Sequence, residues 1–182
     1  MEENTIILVA CGPFEKEFLK AISLSAEKEF RIPVVIEENH IDLTPYYNPG
    51  RRQYDANKLL SFISGCSVNE NTKVIGLFRV DLFIPILTYI FGQAILNGRS
   101  AIASIYRLRN EMYGLRKNDA LLLSRATKEV IHELGHNFGL IHCHFQTCVM
   151  RSSTYVEDID QKSHNLCPAC REALNKINLS SS

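Results

Sequence analysis

Apolar positions fall into continuous runs and helical stripes along the chain, and each pattern predicts an element. Thr5 to Cys11 is continuously apolar and stops at Gly12-Pro13, the pattern of a buried strand entering a turn. Phe14, Phe18, Ile22 and Ala26 then recur every fourth position with Glu15, Lys16, Glu27 and Lys28 between them, which predicts a helix with one packed face. Arg31 to Glu37 carries Val34, Val35 and Ile36. Pro33 has no backbone donor, so this strand belongs at a sheet edge or begins after the proline. The chain next loops through Pro45, Asn48, Pro49 and Gly50, and Tyr54 to Ile63 reads as a second helix ended near Gly65. Lys73 to Phe78 is another buried strand. Tyr89 to Phe91 and Ala101 to Tyr106 are strand candidates on either side of the turn-like Asn97-Gly98, with a register that one sequence leaves open. From Asn118, an N-cap, a helix runs through Leu122, Ala126 and Val130 into His132 and His136 and is expected to end at Gly139. A frayed serine tail is expected at Ser180 to Ser182.

These elements describe an α/β (α+β-like) sheet-and-helix subdomain, residues 1–139, followed by a small Cys-rich subdomain, residues 140–182. At 182 residues the chain is too short for two ordinary domains, so 1–182 is read as one. Twenty basic and twenty acidic residues cancel, which removes any global field toward a nucleic-acid backbone. Arg107, Arg109, Arg116, Lys117, Arg125 and Lys128 are the only basic cluster, and a solvated helix face explains them. The densest apolar stretch, Leu82 to Ile95, is broken by Pro85, Gly92 and Gln93, so no membrane span is expected. Met1 to Asn4 lacks the basic opening of an export signal, and the expected location is the cytoplasm.

Chemistry concentrates near the end of the last long helix. His132-Glu133-Leu134-Gly135-His136 sets two imidazoles one helical turn apart on one face, where both reach one ion. A third histidine six residues further on would face away if the helix continued. Gly139 permits the sharp turn that returns His142 to the same ion. Three protein ligands leave a fourth position for water, the arrangement of a catalytic zinc. Glu133, adjacent to a ligand but at another helical angle, is the expected general base. The reaction implied is zinc-dependent hydrolysis of a peptide bond.

Cys143, Cys148, Cys167 and Cys170 form two close pairs separated by a loop of eighteen residues, which suits a closed, structural zinc. Two disulfides are the alternative, and they call for an exported chain. His144 or His164 replacing one cysteine is a further option, while Cys11 and Cys66 read as small core residues and His40 has no role. The expected cofactors are therefore two zinc ions per chain, one catalytic and one structural.

The run from His132 through His142, Cys143, Cys148, Met150, Cys167 and Cys170 resembles the archaemetzincins, in which an extended histidine motif runs into a cysteine, a Cys-x-Met and a distal cysteine pair. Val80 to Phe83, Phe91 to Ala94 and Arg107-Leu108 are similar to that family too. The resemblance implies a metzincin-like fold with a twisted mixed β-sheet, an active-site helix, a cleft, and a Met-turn made by Met150 beneath the catalytic zinc. Read from the residue alone, Met150 is equally a plain core side chain. The gap from Met150 to Cys167 is one residue shorter than the family's usual spacing, which bears on loop geometry. Tyr155 is the only tyrosine near the transition-state position that some metzincins use, and its spacing leaves it outside the catalytic set. The implied substrate is a peptide or unfolded polypeptide. The rival reading, from another class, is a zinc-stabilised binding module that holds peptides without cutting them, or a latent enzyme.

Overall fold

The computed structural model describes residues 4–66 and 71–180 of the chain. Met1 to Glu3 and the tail residues Ser181 and Ser182 lie outside them. In order along the chain the elements are β1 (Thr5–Cys11), α1 (Lys16–Phe30), β2 (Val34–Glu38), β3 (Tyr47–Asn48), β4 (Gln53–Asp55), α2 (Ala56–Gly65), β5 (Thr72–Phe78) and β6 (Leu82–Phe83). They continue with β7 (Gly92–Ala94), β8 (Ser100–Ser104), α3 (Asp119–Asn137), α4 (Val156–Gln161) and α5 (Pro168–Ser180).

The main sheet has the order β2-β1-β5-β8-β7. Its first four strands are parallel and β7 runs antiparallel to β8 at the edge, so the sheet is mixed as expected. The continuous apolar run of β1 is explained by burial on both faces. Ile6, Leu8 and Ala10 pack with α1 and α3, while the alternate residues Ile7, Val9 and Cys11 pack with Ala56, Leu59 and Ile63 of α2. Strand β2 begins immediately after Pro33, at the sheet edge, where the proline's missing donor is harmless.

Several boundaries differ from the sequence expectation. Gln53–Asp55 is a strand, paired with Leu82–Phe83, and the helix begins only at Ala56, with Asp55 accepting the Lys58 amide at 3.3 Å as its cap. The expected strand at Tyr89 to Phe91 contributes only a bridge, Ile90 to Leu82, and the paired edge strand starts at Gly92. Tyr106 belongs to a short 3-10 turn rather than to β8. Helix α3 does start after Asn118, whose side chain accepts the Leu121 amide at 2.9 Å, but it ends at Asn137, two residues before Gly139.

Only part of the basic cluster is a solvated face: Arg116 and Lys117 are exposed, but the rest is partly or wholly buried. Arg125 and Lys128 are buried. Arg125 makes two 2.7 Å contacts to the Asp160 carboxylate and also donates to Leu108 O and Asn110 Oδ1. Lys128 Nζ donates to Ile159 O at 3.0 Å, and Arg107 grips Asp81 at 2.6 and 2.7 Å. Partners beyond the helix, invisible to its own periodicity, hold these charges inside. They also fasten α4 onto α3. At the other end of the Cys-rich segment, the Glu29 carboxylate on α1 accepts the Leu166 amide at 2.8 Å and pairs with Arg171 on α5. Val149, Met150, Val156, Ile159, Leu166 and Leu174 share one apolar cluster with Ile6 and Leu8, so the segment after Gly139 extends the main core.

Candidate active site

His132 and His136 leave the same face of α3, with ring centroids 4.7 Å apart. Each is tethered by its far nitrogen. Nδ1 of His132 donates to the Val149 carbonyl at 2.8 Å, and Nδ1 of His136 donates to the Leu140 carbonyl at 2.7 Å. A carbonyl oxygen only accepts, so both Nδ1 atoms carry hydrogen and both Nε2 atoms are left as bare lone pairs. Beyond the helix, Gly139 takes φ +86°, and the Leu140 amide folds back onto Gly135 O at 2.9 Å. That turn delivers His142, and ligand nitrogens of all three histidines lie within 4.8 Å of one another.

The donor set fits a metal ion. The two Nε2 atoms stand 3.1 Å apart with no hydrogen between them, a repulsive contact unless a cation is shared. Tetrahedral bonds of 2.0–2.1 Å to imidazole put neighbouring nitrogens about 3.3 Å apart. Burial pushes all three histidines below their ordinary range, which keeps them neutral and able to ligate.

Glu133 is buried on the adjoining face, one turn after the buried Glu129. Burial first, and the Glu129 charge second, hold its carboxyl well above the usual range, while Lys162 pulls it the other way. Met150 is fully buried, and its sulfur fills the space that a side chain on Gly135 would need. Two cavities meet at the histidines. One, of about 440 Å³, has Tyr89, Phe91, Ser153, Tyr155, Glu129 and Lys162 among its walls; the other, of about 410 Å³, has Gln93, Leu96, His136 and Ile141. Gly92, His132, Glu133 and His142 line both.

The four C-terminal cysteines form the second cluster, with sulfurs within 4.8 Å of one another. Cys143 to Cys167 and Cys148 to Cys170 are each 3.8 Å apart, and all six cysteines of the chain are free. Disulfide sulfurs sit about 2.05 Å apart, so the disulfide alternative is not realised. The edge of a tetrahedron of 2.3 Å zinc–sulfur bonds is about 3.8 Å, which is the observed spacing. The amides of Phe145 and Cys167 point at the Cys143 and Cys148 sulfurs, both at 3.4 Å. His164 bonds Ser124 instead of joining the cluster, and Cys11 and Cys66 bond to nearby carbonyls within the second core.

Sequence reading missed Glu129, Lys162 and Gly92. Glu129 was findable, since it lies one turn before Glu133. Lys162 and Gly92 carry no local signal, because each reaches the site only through tertiary packing.

An α/β fold whose active helix ends in this histidine-lined cleft belongs to the zinc metallopeptidases. Within that class, residues 10–176 match the family model of Peptidase family M54. The chain belongs to that family, the archaemetzincins. It is 43% identical over 129 residues to an archaemetzincin of Thermococcus kodakarensis, covering 70% of this chain and 69% of the relative. It is 35% identical over 170 residues to one of Methanocaldococcus jannaschii, covering 93% and 92%. The crystal structure of an archaemetzincin from Methanopyrus kandleri superposes with a TM-score of 0.84 at 32% identity, over 97% of this chain and 96% of that one.

Proposed function

We propose that this zinc metallopeptidase cuts peptides or unfolded polypeptides using two zinc ions. His132, His136 and His142 hold the catalytic one, and Cys143, Cys148, Cys167 and Cys170 hold a structural one. The observation that carries the reading is the pair of facing Nε2 lone pairs, each fixed by an Nδ1–H bonded to a backbone carbonyl. Zinc held there by the three histidines would polarise a substrate carbonyl and lower the pKa of a bound water to near neutral.

Glu133 is the general base. Its carboxylate accepts the proton of the attacking water and returns it to the departing amine nitrogen, so it ends each turnover unprotonated. Burial among Glu129, Gly92 and the histidines keeps it out of bulk water, where a carboxylate is a weaker base. The substrate chain lies through both cavities, with neither of its ends fixed by the protein. The continuous apolar cluster supports one domain spanning residues 1–182. The balanced charge favours a peptide over a nucleic acid as partner, and the free cysteines suit the cytoplasm. Among the described residues no helix is long and apolar enough to cross a membrane.

The test is cleavage of a diverse peptide mixture read by mass spectrometry, comparing zinc-loaded wild type with Glu133→Ala prepared identically. Cuts made only by the wild type are expected. If neither protein cuts with both zinc sites filled, the peptidase reading gives way to a peptide-binding module.

A further inference from the structure

Lys162 follows α4 and is only 4% exposed, a costly place for an ammonium group. Its hydrogen bonds go to backbone oxygens: Nζ donates to Arg151 O at 2.8 Å and to Val149 O at 3.3 Å. Those two carbonyls flank Met150. The Val149 oxygen is also the acceptor for Nδ1 of His132, at 2.8 Å. One oxygen, with its two lone pairs, thus joins the buried ammonium to a histidine of the metal centre.

The placement of Lys162 is itself rigid. Arg125 pairs with Asp160, and Lys128 Nζ donates to Ile159 O, so the end of α4 is tied to α3, the helix that carries His132. Lys162 closes the ring from α3 through α4 to the Met150 segment and back to α3.

We infer that Lys162 is a positioning residue for the metal centre: by pinning the carbonyls of Val149 and Arg151, it fixes the oxygen that tethers His132 and so aims the Nε2 lone pair of that histidine. The inference rests on the histidines being metal ligands. An imidazole turns about its own bond unless its far nitrogen is held, and loss of such an outer partner typically weakens metal binding 10–100-fold. Here the partner is a carbonyl on a segment with no regular structure, and Lys162 supplies the stiffness that a helix or strand would otherwise give it.

The experiment loads cobalt(II) into the full-length wild type, Lys162→Met and Lys128→Met. Chelator competition gives the affinity of the histidine site, and its visible absorption band reports ligand geometry. Thiolate-bound cobalt is read separately from its charge-transfer bands in the near ultraviolet. Lys128→Met removes another buried ammonium from the same junction without touching Val149. Lys162→Met is expected to weaken the histidine site 10–100-fold and to shift its visible band, with the thiolate bands unchanged. Lys128→Met loosens the α4 end but leaves both carbonyls bonded by Lys162, so it is expected to weaken the histidine site clearly less than Lys162→Met; an equal loss would assign the effect to the α4 junction and overturn the inference. An unchanged affinity and band in a folded Lys162→Met protein overturns the inference. If that variant does not fold, Lys162→Gln replaces it; its amide is too short to reach both carbonyls, so the same shift is expected and its absence is equally decisive. If the wild-type histidine site takes up no cobalt, the metal-ligand reading itself fails, a result distinct from an unaffected variant.

Discussion

A side-chain carbon on Gly92 would stand 2.7 Å from Oε1 of Glu133. It would also lie 2.8 Å from the Ile102 carbonyl oxygen, which belongs to the neighbouring strand and has no freedom to retreat. The edge strand β7 thus carries its glycine where the carboxylate proposed as general base must sit.

Gly92→Ala therefore forces Glu133 to move while leaving the three histidines untouched. Displacing a catalytic group by about 1 Å costs on the order of 10²-fold in rate. The expected outcome is a fall of that size in kcat with zinc content unchanged, checked by steady-state kinetics beside metal analysis. Retention of full activity would show that Glu133 needs no such space.

How far the site was legible follows from where its parts lie. His132 and His136 are spaced by a helical turn, and a turn is a local rule that sequence displays directly. Gly139 signalled the return of His142, although the helix itself stops at Asn137 because the reversal needs two residues before the glycine. The four cysteines announced themselves by spacing. Arg125 and Lys128 misled, since each looks like a surface charge until Asp160 and the Ile159 carbonyl arrive from α4. Helices α4 and α5 were not read at all, because they are short or amphipathic segments buried by tertiary contact. The alternating halves of β1 were hidden for the opposite reason: both faces are apolar, so the run shows no period.

Removing the zinc proposed for the four cysteines should act on the histidine site as well. Cys143 follows His142 directly, and its amide is held by the Met150 carbonyl at 3.0 Å. Structural zinc contributes about 10–16 kcal/mol in finger-like peptides, more than a small domain's whole stability. Losing even about 4 kcal/mol lowers the Tm of a chain this size by about 8–16 °C. Cys170→Ala is expected to lose one zinc, melt at least that much earlier, and bind the second zinc more weakly, as calorimetry with metal analysis would reveal. A variant with one zinc lost and the histidine site at full affinity would show that the two centres are independent.

The Arg125–Asp160 pair fixes α4 on α3, and Arg125 is nearly sealed from solvent. Breaking a buried pair from one side costs about 3–5 kcal/mol, and the partial exposure of Asp160 places this one near the lower figure. Arg125→Met should therefore reduce unfolding free energy by about 3 kcal/mol in urea titration. A loss below about 1 kcal/mol would mean that the apolar contacts of Val156 and Ile159 hold the helix unaided.

The two cavities bear on which bonds are cut. An enzyme that removes terminal residues must recognise a charged chain end, and a free amino terminus calls for a carboxylate on one side of the reacting bond. Among the described residues, the cavity beside His136 offers Gln93, Ala94, Leu96 and Ile141, with Glu133 its only carboxylate. Glu133 is occupied as base in the mechanism proposed above. The opposite cavity does contain Glu129 and Lys162, but Glu129 is buried within the charge field of Lys162 and the Lys162 ammonium bonds two carbonyls, so neither is free to hold a chain end. Exposed Leu96 and Ile141 on one side and Leu87 and Tyr155 on the other give apolar footing along the cleft. Peptides acetylated at the amino end and amidated at the carboxyl end, with apolar residues on both sides of the scissile bond, should be cleaved within about threefold of the rate of the free peptides, since neither charge has a partner to lose. Mass spectrometry of matched blocked and free pairs measures this. A drop of a hundredfold or more on acetylation would instead reveal an amino-terminal anchor and make the enzyme an aminopeptidase.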